Sequence, residues 1–148
     1  MDVLFDIIVV TYVQYLKNIL THIVDSYHIL ESIEDKPGDL AKTEKQMLKI
    51  NGFIKVVSNK IDPDKIPSSD FRIIKSKFSE YLTDYSFEKE IETMAPLYSN
   101  DVSRIKNMRI KILEALKNKH MMDDVKELLN NLWLNKKNVF CVAVRIID

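Results

Sequence analysis

The sequence predicts an all-α, single-domain bundle of five or six helices, with a long N-terminal helix and a short extended C-terminal tail. Three observations carry that expectation. The 148 residues hold 2 glycines and 4 prolines, fewer than strand-and-turn folds need at their reversals. Apolar residues recur at steps of three and four along most of the chain, the period of a helix with one buried face. At 46% hydrophobic, a chain of this length can bury a proper core.

The elements follow in order. Residues 2–33 read as one helix, because Leu4, Ile8, Tyr12, Tyr15, Leu16, Ile19, Ile23, Tyr27 and Leu30 share a stripe. The opening VLFDIIVVTYV is rich in β-branched residues, so a strand is its alternative. Its apolar residues also exceed one stripe, which predicts either central burial or an intermolecular contact. Leu4, Phe5, Ile8, Val9 and Tyr12 are the candidate partner interface.

EDKPGD breaks the first helix. A second, capped by Asp39, runs to about Asn59 with Leu40, Met47, Leu48, Ile50, Ile54 and Val57 on its apolar side. Gly52 inside it suggests a kink or a close helix contact. IDPDKIPSSD, centred on residues 61–69, is the clearest loop and divides an N-terminal hairpin from a C-terminal bundle. Neither part is large enough to count as a domain. A third helix starts at Ser69 or Asp70 and carries Phe71, Ile74, Phe78, Tyr81 and Leu82. A short helix from about Phe87 to Pro96 and a fifth after YSND follow, the fifth with Val102, Ile105, Met108, Ile112, Leu113 and Leu116 inward. NVFCVAVRIID lacks a helical period and reads as a strand or an extended tail.

NKHMMDDVKELLNNLW, from Asn118 to Trp133, tests chemistry against structure. His120 and Asp124 have the i, i+4 spacing of a helical metal pair. No third ligand stands nearby, and zinc takes three or four. As structure, Asp124 and Glu127 form D-x-x-E, the pattern of a capping box, ahead of Val125, Leu128, Leu129 and Leu132. With MRIKILEAL before it, this stretch resembles the last two helices of the LW domain of transcription elongation factors. The shared features are the elbow Lys117, Lys119 and His120, then a capped helix ending Leu132-Trp133 with lysines after it. The likeness spans roughly a fifth of the chain and lacks the family's glycine turn, and a HEAT-type helix pair has the same pattern. No family is assigned on it.

Catalytic motifs are missing. His22, Asp25 and Ser26 lie within one helical turn, where a working triad geometry is not reached. Two glycines leave no room for a phosphate-cradling loop. Arg109 and His120 stand too far apart for the R-x4–6-H motif of helical HEPN nucleases. The sequence therefore predicts no enzyme, no cofactor and no metal.

Lys+Arg and Asp+Glu both number 22, so no global field draws the chain to nucleic acid or anionic lipid. The first 40 residues are acidic and the remainder basic by the same margin, as suits self-association or an oriented partner. Arg104, Lys106, Arg109, Lys111, Lys117 and Lys119 form the candidate basic patch, though no aromatic residue is interleaved for base stacking. The expected function is a non-enzymatic protein-interaction module, adaptor or regulator whose partner is another protein or a second copy. The alternative is a nucleic-acid-associated regulator using helix 104–119. The uncharged run from Ile7 to Leu16 is short of the roughly 20 residues a membrane span needs, and one cysteine, Cys141, fits a reducing cytoplasmic or nuclear compartment. Abundant Lys, Ile and Asn beside scarce Arg suggest an AT-rich genome.

Overall fold

The computed structural model describes residues 2–34, 36, 38–66, 68–85 and 102–132, with the side chains of 2–9, 40, 85, 102 and 119 excepted. The expected short helix at 87–96 and the tail at 139–148 lie outside the described residues. Within them the fold is an all-α bundle. Helix α1 spans Asp2–Ser32, α2 Asp39–Lys60, α3 Asp70–Tyr85 and α4 Val102–Lys117, and α5 covers 121–132. Short 3-10 turns at Pro63–Lys65 and Asn118–His120 precede α3 and join α4 to α5. No strand occurs among the described residues.

The 31 residues of α1 make a rod about 46 Å long at about 1.5 Å per residue. Its buried stripe runs through Val13, Leu16, Leu20, Ile23, Tyr27 and Leu30. This differs from the expected line at Tyr15, which is 50% exposed. Tyr15 lies one helical step, about 100°, from the centre of the stripe at Leu16, and Val13 and Leu20 fill the positions it was expected to share. Between Thr11 and Ser32 the opposite face, with Asn18, Thr21, Asp25 and His28, is exposed. α1 is therefore a flanking helix over that length, not a central one.

The central helix is α2, which packs against α1, α3 and α4. Its wide apolar side makes this possible: Met47, Ile50, Ile54 and Val57 are all fully buried. Buried side chains from all five helices form one continuous core that also takes in Ile61 and Ile66. The loop at 61–69 thus supplies core residues while it turns the chain.

Gly38 reverses the chain into α2 at φ 98°, in the left-handed region that favours glycine. Asp39 is the first helical residue, not the cap. Its carboxylate accepts from the Lys36 amide at 3.1 Å and so pins the loop. Gly52 has no packing reason: a Cβ there would meet nothing within 4 Å, so no close helix contact explains it. Gly52→Ala is expected to stabilise the protein by about 0.5–1 kcal/mol, because Gly in a helix interior forfeits that much. A urea titration with an unchanged or lower midpoint would contradict this.

Two helix ends are closed by cations from elsewhere in the bundle. Lys75 Nζ donates to the carbonyl of Ile61, just past α2, at 2.9 Å. Arg109 of α4 donates to the carbonyl of Leu30 in the last turn of α1 at 3.2 Å. Such terminal carbonyls have no partner within their own helix and carry the negative end of its dipole. Between α2 and α3, Tyr81 donates to Asn51 Oδ1 at 2.6 Å and the hydroxyls of Ser58 and Ser79 lie 2.6 Å apart. Burial pushes the Tyr81 phenol well above its usual range.

Candidate interaction surfaces

Each surface residue singled out by the sequence has a place. In the expected N-terminal interface, the side chains of Leu4, Phe5, Ile8 and Val9 lie outside the described residues. Tyr12 is half-buried, with Lys65 Nζ 4.9 Å from its ring centroid. In the basic patch, Arg104, Lys106 and Lys111 are exposed, and the Lys119 side chain is outside the described residues. Arg109 is 7% exposed and held by Leu30, so it belongs to the core. Lys117 lies 3.3 Å from Glu31. Helix 104–119 therefore spends two of its cations on α1.

Glu31 is the centre of a small polar cluster. His28 Nδ1 stands 3.2 Å from its carboxylate and Lys117 3.3 Å. Burial alone would raise its pKa, but the hydrogen bonds from Lys117 and His28 outweigh it and hold the carboxyl below its ordinary value of 4.5. The Tyr27 phenol beside it is pushed up to about 12, by burial first and by Glu31 second. A lowered carboxyl pKa means stability that is present above 4.5 and lost as pH falls through the folded value. Glu31→Gln is expected to cost about 0.2–1 kcal/mol at neutral pH, the range of exposed pairs, with the difference closing in acid. Equal urea midpoints for both proteins at neutral pH would contradict it.

The elbow resolves differently from its sequence pattern. His120 adopts φ 57°, a left-handed conformation that costs a non-glycine residue about 1–2 kcal/mol, and α5 begins directly after it. Asp124 is thus the fourth residue of α5, and the D-x-x-E capping box is not formed. Asp124 instead pairs with Lys77 of α3, a partner 47 positions away that no local motif announces. His120 sits beside Asp123 at 3.5 Å, both largely exposed. Among the described residues no group of three or more His, Cys, Asp or Glu is placed to hold a metal, and no helix is long and apolar enough to cross a membrane.

Two further surfaces went unnoticed in the sequence. The first is a cleft of about 130 Å³ between α3 and α5, lined by Asp70, Ile73, Ile74, Asp124, Glu127 and Leu128. Ile74 and Leu128 are buried in its floor, whereas Ile73 is 56% exposed. Asp124, paired with Lys77, is part of its lining. The second is the outer face of the α1–α2 hairpin, where the His22 ring stacks on Phe53 with centroids 5.0 Å apart and planes within 8°. Exposed Lys42, Lys45, Lys49 and Lys60 run along α2 on this side. Both surfaces join residues distant in sequence, and only helix packing brings them together. The lysine spacing in α2 was the one signal available beforehand.

No known protein family matches this chain, and no curated protein and no solved structure is similar to it.

Proposed function

We propose that the protein is a non-enzymatic helical interaction module, an adaptor or regulator, that seats a partner protein in the cleft between α3 and α5. The exposed Ile73 at the rim of that cleft carries this reading. A large aliphatic side chain left in water above an apolar floor gains free energy when a partner covers it. Asp70 and Glu127 around it select for a partner that brings basic groups. A helix laid in a groove, with apolar anchors one turn apart, is the recognition mode such a surface fits.

The experiment compares wild type with Ile73→Asp, first for self-association by sedimentation and then for capture of partners, followed by mass identification. The substitution should leave the helical circular dichroism intact, since Ile73 is outside the core, and remove a dimer or a specific captured protein. If every captured protein and the sedimentation coefficient stay the same, the cleft is not the interface.

A further inference from the structure

From the outer face of α2 we infer a second binding surface, beyond the protein-binding cleft, that takes single-stranded nucleic acid. At about 100° per residue, Lys42, Lys45, Lys49 and Lys60 fall within about 60° of the helix circumference, on the side away from the buried Ile50 and Ile54. All four are exposed, and none has an ion-pair partner among the described residues. Asp25, on the outward face of α1, pairs with none of them.

This arc departs from an ordinary solvated face. Surface helices interleave Lys with Glu at steps of four, which adds stability, whereas like charges at that spacing remove it. Here Lys42, Lys45 and Lys49 follow one another at steps of three and four with Ala41, Gln46 and Leu48 among their neighbours, and the one acid at such a step, Asp39 before Lys42, has its carboxylate on the Lys36 amide. Gly52 borders this arc three residues on from Lys49, exposed and with open space above it. The helix thus gives up stability twice on one face, and neither loss serves the fold. A polyanion explains both: the lysines neutralise its phosphates, and the bare backbone at Gly52 lets the strand lie close.

Aromatic groups border the arc. The His22–Phe53 stack sets the register of the antiparallel pair α1–α2, and seven residues back from His22 lies Tyr15, level with Lys60 seven residues on from Phe53. Tyr15 is 50% exposed and shares a helical line with His22. A basic track edged by an open aromatic ring is what binds unpaired bases: phosphates on the charges, a base on the ring. A duplex would use the charges and leave the ring idle; an anionic lipid surface also seats a tyrosine at its interface, and the vesicle arm of the test separates it.

The test uses the full chain and a fluorescently labelled oligothymidylate of about twenty nucleotides, read by anisotropy. With four lysines engaged, log K should fall against log salt with a slope of about −3, close to 50-fold between about 50 and 200 mM salt. The triple reversal K42E/K45E/K49E should weaken binding at least tenfold, and Tyr15→Ala about fivefold or more. The control K106E/K111E should stay within twofold. Circular dichroism checks that the triple reversal keeps its helix, and K42Q/K45Q/K49Q replaces it if not. No binding at low salt, or an unchanged affinity in the α2 variants, overturns the inference. So does an equal loss in the α4 control. Affinity unchanged in Tyr15→Ala, or equal binding of polyglutamate, duplex or phosphatidylserine vesicles, overturns the assignment to single strands.

Discussion

Arg109→Ala is expected to destabilise the protein by about 2–4 kcal/mol, more than any other single change to a charged residue among those discussed. Arg109 is 7% exposed, and its guanidinium donates to the Leu30 carbonyl across 79 positions of sequence. A hydrogen bond from a charged donor contributes about 1.5–3 kcal/mol. Its removal also leaves a buried carbonyl at the negative end of the α1 dipole without that donor. Loss of the aliphatic stem against the core adds to this. Arg109→Met restores the stem without the donor and should fall between alanine and wild type. Lys106→Ala and Lys111→Ala, on the exposed side of the same helix, should stay within about 0.5 kcal/mol, as surface substitutions do. Urea unfolding of the four variants gives the ranking. An Arg109→Ala midpoint indistinguishable from that of Lys106→Ala would show that the tether contributes nothing.

That contrast also explains what could be read beforehand. Helical period, helix breaks and the scarcity of glycine are local properties, so both ends of α1 and α2 and the start of α3 were placed within a residue or two of those observed. The inward residues Ile74, Phe78, Ile105 and Ile112 were legible for the same reason. What was not legible is which exposed-type residue another helix would bury. Arg109 sits in RIKNMRIK among cations of the same kind, and nothing in that string separates it from Lys106. Its burial depends on where the end of α1 falls. Asp124 is the converse case: a local pattern predicted a cap, but the left-handed turn at His120 starts the helix earlier and leaves the carboxylate for Lys77. The lysines of α2 were visible as residues but not as a surface, because their meaning depends on Phe53 meeting His22. Local energies fix elements, and the candidate sites arise from tertiary contacts that sequence spacing does not encode.

The same distinction separates two substitutions near the N-terminus. The His22–Phe53 register places Lys60 level with Tyr15, and Lys65 reaches the Tyr12 ring, so residues 2–11 of α1 extend beyond the end of α2. Residues seven apart share a helical line, and the lines are known further along. Val9 shares its line with Leu16, Ile23 and Leu30, all at 0% exposure. Ile8 shares its line with the exposed Tyr15 and His22, and Leu4 with the exposed Thr11, Asn18 and Asp25. An apolar residue continuing a buried line serves the core; one continuing an exposed line serves a contact outside it. The side chains of Ile8 and Val9 lie outside the described residues, so the expectation rests on the period of the sequence alone: Val9→Asp should destabilise the fold by about 3 kcal/mol or more where the Leu16–Leu30 line stays core past the end of α2. Ile8→Asp should leave the unfolding midpoint within about 0.5 kcal/mol of wild type but abolish any self-association or partner binding that runs through this end of α1. Sedimentation and urea unfolding on the two single variants decide it. If Ile8→Asp unfolds the protein as Val9→Asp does, the apolar girth of α1 is core on every side. If neither changes stability or mass, this end of the helix is neither core nor interface.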